Sequence, residues 1–94
     1  MTAGSRPVTL SFPNQSRSFD EARNRIRFWG YDSAIEISFF VEADALHKLV
    51  PDMGDAETGY LKAFDDSRER IHEIAEKVYM RGHGNAHSLA AADF

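Results

Sequence analysis

The sequence predicts an α+β domain: an antiparallel sheet of about four strands with two helices, one short and one long, packed on one face. Two observations carry this prediction. The adjacent runs RIRFWGY and AIEISFFV are rich in β-branched and aromatic residues, and apolar side chains alternate along them as in hairpin strands. They are followed by a segment in which apolar residues recur every three or four positions, the spacing of a core-facing helix.

Length and composition indicate one globular domain. The chain has 94 residues, of which 43% are hydrophobic and 28% charged, an ordinary balance for a folded domain of this size. Residues 1 to 7, MTAGSRP, are small and polar and end at a proline, so they are predicted to form a flexible tail. Residues 8 to 94 are predicted to form the domain.

Charge and cysteine content restrict the class of function. Fifteen acidic residues against eleven basic ones give a net charge of −4, which disfavours nonspecific binding to nucleic acid or to an anionic membrane. The chain has no cysteine, so disulfides and thiolate chemistry are excluded. The N-terminal residues lack the apolar run of a signal peptide, and no run is long enough for a membrane helix. We therefore expect a cytoplasmic protein without a membrane partner.

The sequence gives only a weak signal for the first strand and for the segment that follows it. Val8 to Phe12 is predicted to be a strand, because Val8, Leu10 and Phe12 alternate with Thr9 and Ser11 before a proline. The polar segment PNQSRSFDEARNR that follows has one large apolar residue and is rich in turn formers. It predicts a loop with a turn around residues 20 to 24.

The hairpin divides its side chains between two faces. Arg25 to Tyr31 and Ala34 to Val41 are the predicted strands, joined at Asp32 and Ser33. Because strand side chains alternate, one face is apolar and must be covered by the helices. Its members are Ile26, Phe28, Ile35, Ile37, Phe39 and Val41. The opposite face carries Arg25, Arg27, Trp29 and Tyr31 on the first strand and Glu36, Ser38 and Phe40 on the second.

Two helices are predicted to cover the apolar face. Ala43 to Val50 is a short helix with an apolar stripe, ended by Pro51. A long helix from about Ala56 to Arg81 follows, with Asp55 as its predicted N-cap. The stripe of the long helix consists of Tyr60, Phe64, Ser67, Ile71, Ile74 and Val78.

These residues resemble a known family. The run SFDEARNRIRFWGYDSAIEISFFVEADAL, followed by a long helix ending in KVYMRG and a short last strand, is similar to the small bacterial proteins grouped as domain of unknown function 1488. The resemblance extends over roughly residues 8 to 94. It departs from the family at the hairpin turn, where a glycine is expected and Asp32 and Ser33 stand. The resemblance implies an antiparallel sheet with helices on one face, and it implies no activity and no catalytic residues.

The stretch YMRGHGNAHSL offers a metal-site hypothesis. His83 and His87 are four residues apart, which on a helix would direct both towards one ion. Glycines at positions 82 and 84 instead predict that the helix ends near Arg81 or Gly82 and that a strand starts near Asn85. His87 and Leu89 would then share one face of the strand, and His83 would lie in the turn. Glu69 and His72 have the E-x-x-H spacing of half a carboxylate metal site, but a second copy is missing. We therefore predict no metal and no cofactor.

An anion-binding loop is the second hypothesis for the same stretch. The glycines of RGHGN could direct backbone amides outward beside Arg81. The loop follows a helix C-terminus, however, where the helix dipole repels an anion. Arg81 is therefore interpreted as compensation of that dipole.

The polar face of the hairpin is the strongest functional signal. Its positive charge and aromatic area are typical of protein interfaces and of single-stranded nucleic-acid platforms. A third interpretation is that the N-terminal segment covers this face, or that arginine stems merely shield Trp29. The candidate interaction surface consists of Arg25, Arg27, Trp29, Tyr31 and Phe40.

No catalytic motif accompanies these residues. The chain lacks a G-x-S-x-G elbow, a phosphate-binding loop and the helical motif of zinc hydrolases. The sequence therefore favours a non-enzymatic interaction or regulatory protein, with another protein or a second copy as its partner. Single-stranded nucleic-acid binding through the same face is the alternative, and a metal-dependent enzyme is the third hypothesis.

Overall fold

The chain forms a mixed five-stranded sheet with three α-helices packed on one side, in a computed structural model that describes residues 10–13, 15–82 and 84–94. A 3₁₀ turn ends the described chain. The elements in order are β1 (Leu10–Ser11), β2 (Ser18–Asp20), β3 (Arg25–Asp32), β4 (Ile35–Glu42), α1 (Ala43–Leu49), α2 (Glu57–Asp66), α3 (Arg68–Gly82), β5 (Ala86–Leu89) and the 3₁₀ turn Ala91–Asp93.

The predicted α+β class is confirmed, but the predicted antiparallel sheet of about four strands fits only roughly, because the sheet is mixed and has five strands. The strand order is β1-β3-β4-β5, with β2 pairing with β3 on the same edge as β1. β5 runs parallel to β4, because the helical crossover returns the chain to the end at which β4 begins. There the Ser38 N–H donates to the Asn85 carbonyl at 2.9 Å. Parallel neighbours require such a crossover, whereas antiparallel ones need only a turn.

The hairpin forms where the sequence predicts it, with strand ends shifted by one residue. Its register extends from the Arg25 and Glu42 pair to the Asp32 and Ile35 pair, so the connecting residues are 33 and 34. Ser33 has a φ of 58°, the left-handed conformation that tight hairpin turns demand and that usually selects glycine. The absence of the expected glycine therefore leaves the hairpin intact.

The segment between Pro13 and Arg25 contains a strand that the sequence analysis assigned to a loop. β2 has polar residues on both sides of Phe19, so it lacks the alternation that marks a strand. Phe19 packs against the core, with its ring edge-on to Tyr60 at 5.0 Å. β1 covers part of the predicted first strand, whereas Val8, Thr9 and the predicted tail lie outside the described residues.

The predicted long helix is two helices, which corrects the helix count from two to three. The break lies at Ser67, whose φ of −111° and ψ of 14° leave the helical region. Its N–H is shared between the carbonyls of Ala63 and Phe64. α2 contacts β2 and β3, whereas α3 contacts β5 and also reaches β3, where the His72 ring lies 5.7 Å from the Phe28 ring. The two helices therefore cover overlapping but not identical parts of the sheet. None of the described helices is long and apolar enough to cross a membrane.

The helix ends agree with the predicted ones except at the start of α2. α1 has the predicted start and ends at Leu49, with Val50 as its C-cap residue. The predicted N-cap of the long helix is wrong, because Ala56 occupies the cap position without a side-chain cap. Asp55 instead lies with its Oδ1 at 3.4 Å from Nε2 of His47. α3 ends at Gly82, as the glycine placement predicts.

One hydrophobic core joins the helices to the apolar face of the sheet. The predicted alternation is confirmed, since the inward residues of the hairpin strands are buried, except at the exposed tip, Ile35. The buried cluster consists of Leu10, Ile26, Phe28, Ile37, Phe39, Val41, Ala45, Leu46, Tyr60, Ala63, Phe64, Ile71, Ile74, Ala75, Tyr79 and Leu89.

Because Gly30 has no side chain, the ring of Phe12 from the N-terminal segment can pack against the core at this position. Gly30 is on the inward face of β3, and a Cβ built there would lie 2.7 Å from both Cε1 of Phe12 and the carbonyl oxygen of Ser11. Phe12 fills the space and stacks on His72, with ring centroids 3.9 Å apart and an interplanar angle of 6°. A glycine is therefore needed for close approach rather than for backbone conformation.

Candidate interaction surface

The sheet side opposite the helices, called the outer face from here on, contains all five residues of the predicted surface. The hairpin register places Arg27 beside Phe40, Trp29 beside Ser38 and Tyr31 beside Glu36. Neighbouring strands add small and polar side chains, so the aromatic area is concentrated on β3 and β4. The outer face comprises Ser11, Ser18, Asp20, Arg25, Arg27, Trp29, Tyr31, Glu36, Ser38, Phe40, Glu42, Ala86 and Ser88.

The aromatic residues of the outer face are not part of the hydrophobic core. Trp29, Tyr31 and Phe40 belong neither to the buried cluster nor to the partly buried residues packed against it. Every buried helix residue belongs to that cluster. Within the described chain, the helical layer therefore leaves the outer face uncovered.

Both arginines lie over aromatic rings. The guanidinium carbon of Arg25 is 4.0 Å from the ring centroid of Phe40, and that of Arg27 is 4.7 Å from the ring centroid of Trp29. Such cation–π contacts hold a guanidinium group and shield the ring beneath it. The predicted shielding of Trp29 by an arginine is thus observed, and Trp29 and Phe40 are each partly exposed on a face that the helices leave uncovered.

The same arginines are paired with carboxylates. Arg25 donates from Nε to Asp20 at 3.1 Å and from Nη1 to Glu42 at 3.4 Å. Arg27 lies 3.3 Å from Glu36 through Nη2, which also donates to the Ser38 hydroxyl at 3.0 Å. Two guanidinium groups and three carboxylates give the outer face a net charge of −1. This charge weakens the attraction for phosphate on which nucleic-acid binding depends.

The carboxylates are the part of the surface that lies outside the five predicted interaction residues. Glu36 was placed on the outer face by alternation, but not as a partner of Arg27. Glu42 follows the same parity and pairs with Arg25 across the hairpin. Asp20 could not be found by alternation, because β2 itself was not recognised. Opposite charges at facing positions would have found Glu42 alone, because Glu42 faces Arg25 in the observed register whereas Glu36 faces Tyr31.

The histidines of the metal hypothesis do not converge in the described chain. His87 lies on the same face of β5 as the buried Leu89, as predicted, opposite Phe39, and its Nε2 contacts the Gly84 carbonyl at 2.7 Å. His72 is half-buried against Phe12, and burial, with a smaller effect of Arg68, lowers its pKa from 6.5 to about 4. His83 lies outside the described residues. Among the residues that are described, no three histidine or carboxylate side chains form a group that could hold a metal ion.

Arg81 lies in the last turn of α3, where it is placed to compensate the helix dipole. Its Nη2 also lies 3.4 Å from Oδ1 of Asp93 in the 3₁₀ turn. The guanidinium group proposed to assist an anion therefore already has a carboxylate partner.

Comparisons with known proteins are consistent with this fold. The family model described as protein of unknown function (DUF1488) matches residues 10–88. A similar solved structure is that of a protein of unknown function from the same family of Shewanella loihica PV-4. It has a TM-score of 0.78 and 18% sequence identity, and the match covers 90% of this chain and 96% of that chain. At this identity the likeness shows the fold alone. No functionally curated protein matches the chain. The resemblance inferred from the sequence is confirmed, and the chain belongs to the DUF1488 family of proteins of unknown function.

Proposed function

We propose that this protein is a non-enzymatic binding module that contacts another protein through the outer face of its sheet. The observation that carries the proposal is an aromatic and arginine surface that lies outside the core and is left open by the helices. Tryptophan, tyrosine and arginine are the residue types that dominate binding energy at protein interfaces.

The ion pairs support binding by keeping this surface preorganised. Arg25 is held by two carboxylates and one ring, and Arg27 by one carboxylate, one hydroxyl and one ring. A side chain that is already ordered loses less conformational entropy when a partner binds, which otherwise costs about 0.5–1.5 kcal/mol per side chain. The face can therefore bind without a large ordering cost.

The dimensions of the face favour a modest, reversible interaction. β3 and β4 are eight residues long, whereas β5 has four residues and the edge formed by β1 and β2 has five. At about 3.3 Å per residue and about 4.8 Å between strands, the face measures roughly 400 Å². Stable complexes bury about 800 Å² on each partner, and transient signalling contacts bury less. A regulatory contact fits this area better than a permanent one.

Single-stranded nucleic acid is the second candidate, favoured by the stacking of Arg27 on Trp29. It requires Arg25 and Arg27 to exchange their carboxylate partners for phosphates. Such binding weakens as salt rises and on loss of either arginine.

Affinity capture with matched variants tests the proposal. Wild-type protein, Trp29→Ala, Phe40→Ala and the control Glu73→Ala, which changes an exposed position on α3, are immobilised and exposed to extract of the native cell. Circular dichroism confirms that each variant is folded. We expect at least one protein that the wild type and the control retain and both outer-face variants lose.

Sedimentation of the same four proteins reports self-association. A second copy as the partner would appear as a dimer that Trp29→Ala dissociates. If the folded outer-face variants retain every captured protein and the sedimentation behaviour of the wild type, the outer face is not the binding surface.

A further inference from the structure

Within each ion pair of the outer face, the carboxylate side chain is more exposed than the arginine side chain. The Arg25 side chain is 15% exposed, whereas its partners Asp20 and Glu42 are 31% and 30% exposed. Arg27 is 34% exposed and its partner Glu36 is 49% exposed. Each pair therefore offers a partner its carboxylate side chain more fully than its arginine side chain.

The carboxylates also retain hydrogen-bonding capacity. An ionised carboxylate offers about four acceptor positions. Asp20 and Glu42 each accept one bond from Arg25 through a single oxygen, and Glu36 accepts long contacts of 3.3 Å from Arg27 and 3.5 Å from Tyr31. An added donor can bind these groups without displacing the arginines.

Their placement gives the face a carboxylate at each end and aromatic rings between them. Glu36 and Glu42 lie on the same side of β4, six residues apart, which corresponds to about 20 Å along a strand. Asp20 adds to the Glu42 end, since both carboxylates contact Arg25. Trp29 and Phe40 lie between the two ends.

We propose that the outer face binds an extended protein segment that carries cationic side chains at its two ends and apolar side chains between them. The inference rests on the proposed function and specifies the chemistry of its partner. An extended chain repeats every second side chain on one side, so lysine or arginine residues six positions apart reach Glu36 and Glu42 together. The two apolar positions between them then cover Trp29 and Phe40.

The charge of the outer face favours a cationic protein segment over a second copy of the chain or a nucleic acid. A second copy of the chain would present the same net charge of −1, so the charges of two outer faces do not complement each other. The phosphates of a nucleic acid would meet the same net negative charge. A cationic segment alone gains attraction from the net charge of −1.

Peptide titration tests the proposal. The probe is the heptapeptide lysine-serine-valine-serine-valine-serine-lysine, acetylated and amidated to remove its terminal charges. Two controls replace both lysines by glutamate or place them at adjacent positions, and an oligothymidine of eight nucleotides is the nucleic-acid control. Binding is followed by amide chemical shifts of ¹⁵N-labelled protein and by the indole N–H of Trp29, the only tryptophan of the chain.

We expect the lysine peptide to shift the Trp29 indole and the amides of β3 and β4, with an affinity at least tenfold above either control peptide. The preference should fall several-fold for Glu36→Gln and Glu42→Gln and stay unchanged for Glu73→Gln on α3. It should also weaken with added salt. Equal or stronger binding of the glutamate peptide, preferential binding of the oligonucleotide, or no binding of any probe overturns the proposal.

The outcome is separable from that of the proposed function. If extract proteins are still lost on Trp29→Ala while the peptide preference fails, the outer face binds a protein and the inferred partner chemistry is wrong. If both experiments fail, the outer face is not a protein-binding surface. The comparison of the peptides and the oligonucleotide uses the wild-type protein, so it does not depend on the folding of any variant.

Discussion

Arg25 lies between one aromatic ring and two carboxylates, with its guanidinium carbon 4.0 Å from the centroid of Phe40. Its side chain is among the least exposed of the charged groups on the outer face. Desolvated cation–π contacts are stronger than fully exposed ones. This contact connects β3 to β4 on the side that lacks a hydrophobic core, so it stabilises the hairpin and orders the proposed binding surface together.

A double-mutant cycle measures that contact. Arg25→Met and Phe40→Leu keep apolar bulk and remove the charge and the ring, respectively. We expect each to destabilise the protein and the pair to be coupled by about 0.5–1 kcal/mol in urea unfolding. Arg25→Met combined with Glu73→Ala on α3 should be additive. A coupling of zero in the first cycle would show that Arg25 merely lies near the ring.

Gly30→Ala tests the close approach of Phe12. The added Cβ would lie 2.7 Å from Cε1 of Phe12 and from the Ser11 carbonyl, so the ring or the backbone of β1 has to move. We expect a loss of about 1–3 kcal/mol of unfolding free energy. Gly84→Ala is the control, because its Cβ would meet nothing closer than 3.9 Å among the described contacts. Equal stabilities of the two variants would contradict the packing of Phe12.

His72 predicts a pH dependence of stability. Burial first, and Arg68 second, lower its pKa from 6.5 to about 4, so the unfolded chain binds a proton more readily than the folded one. Protonation of His72 does not affect the free energy of unfolding above pH 6.5. Below that pH the free energy of unfolding decreases as the pH falls from 6.5 towards 4. We expect a loss of about 1 kcal/mol at pH 5, because solvent screens the half-buried ring.

His72→Phe keeps the aromatic stack on Phe12 and removes the titrating group. Urea unfolding at pH 7 and at pH 5 should show a smaller loss for this variant than for the wild type. His47→Gln, at a partly exposed position on α1, is the control and should lose as much stability between pH 7 and pH 5 as the wild type does through His72. An unchanged pH dependence in His72→Phe would contradict the lowered pKa.

Asp65 links the N-terminal segment to the break between α2 and α3 through hydrogen bonds with arginines. It accepts two bonds from Arg17, at 2.9 and 2.8 Å, and one from Arg68 at 2.8 Å, and Arg68 also donates to the Gln15 carbonyl. The bond from Arg17 is the largest cause of the lowered pKa of this carboxyl. Its stabilisation is therefore present above its ordinary pKa of 3.8 and is lost as the pH falls through the lower folded value.

Asp65→Asn should cost up to about 1 kcal/mol at pH 7, a small value because the carboxylate is partly exposed. The difference from the wild type should disappear in strong acid. Asp66→Asn, which removes the exposed pair with Lys62, should cost less. Hydrogen exchange of residues 15–17 locates the effect, and unchanged exchange in Asp65→Asn would contradict the linking role.

Local periodicity was sufficient to predict the two faces of the hairpin. Ile26 and Phe28 on β3 alternate with Arg27 and Trp29, and the observed burial follows that alternation. Parity depends only on the geometry of one strand, so it is encoded in adjacent residues. That is why the aromatic and arginine surface could be predicted, although its carboxylate from β2 could not.

The errors concern features set by distant packing. Ser67 fits the apolar spacing of a continuous helix, and nothing in its neighbours marks the break observed there. The direction of β5 depends on the whole crossover between it and β4 rather than on its own four residues. β2 pairs with β3 although its sequence is polar, because backbone pairing and one inward Phe19 are enough at an edge.

The central claim is that the outer face contacts another protein, and site-specific photo-crosslinking in the native cell tests it most directly. Ser88 is exposed on β5 beside Phe40, and replacing it with a photoreactive amino acid leaves the ion pairs in place. The same substitution at Glu73 on α3 is the control. The account predicts an adduct with another protein from position 88 that is absent from position 73. Equal adducts at both positions, or none at position 88, would contradict it.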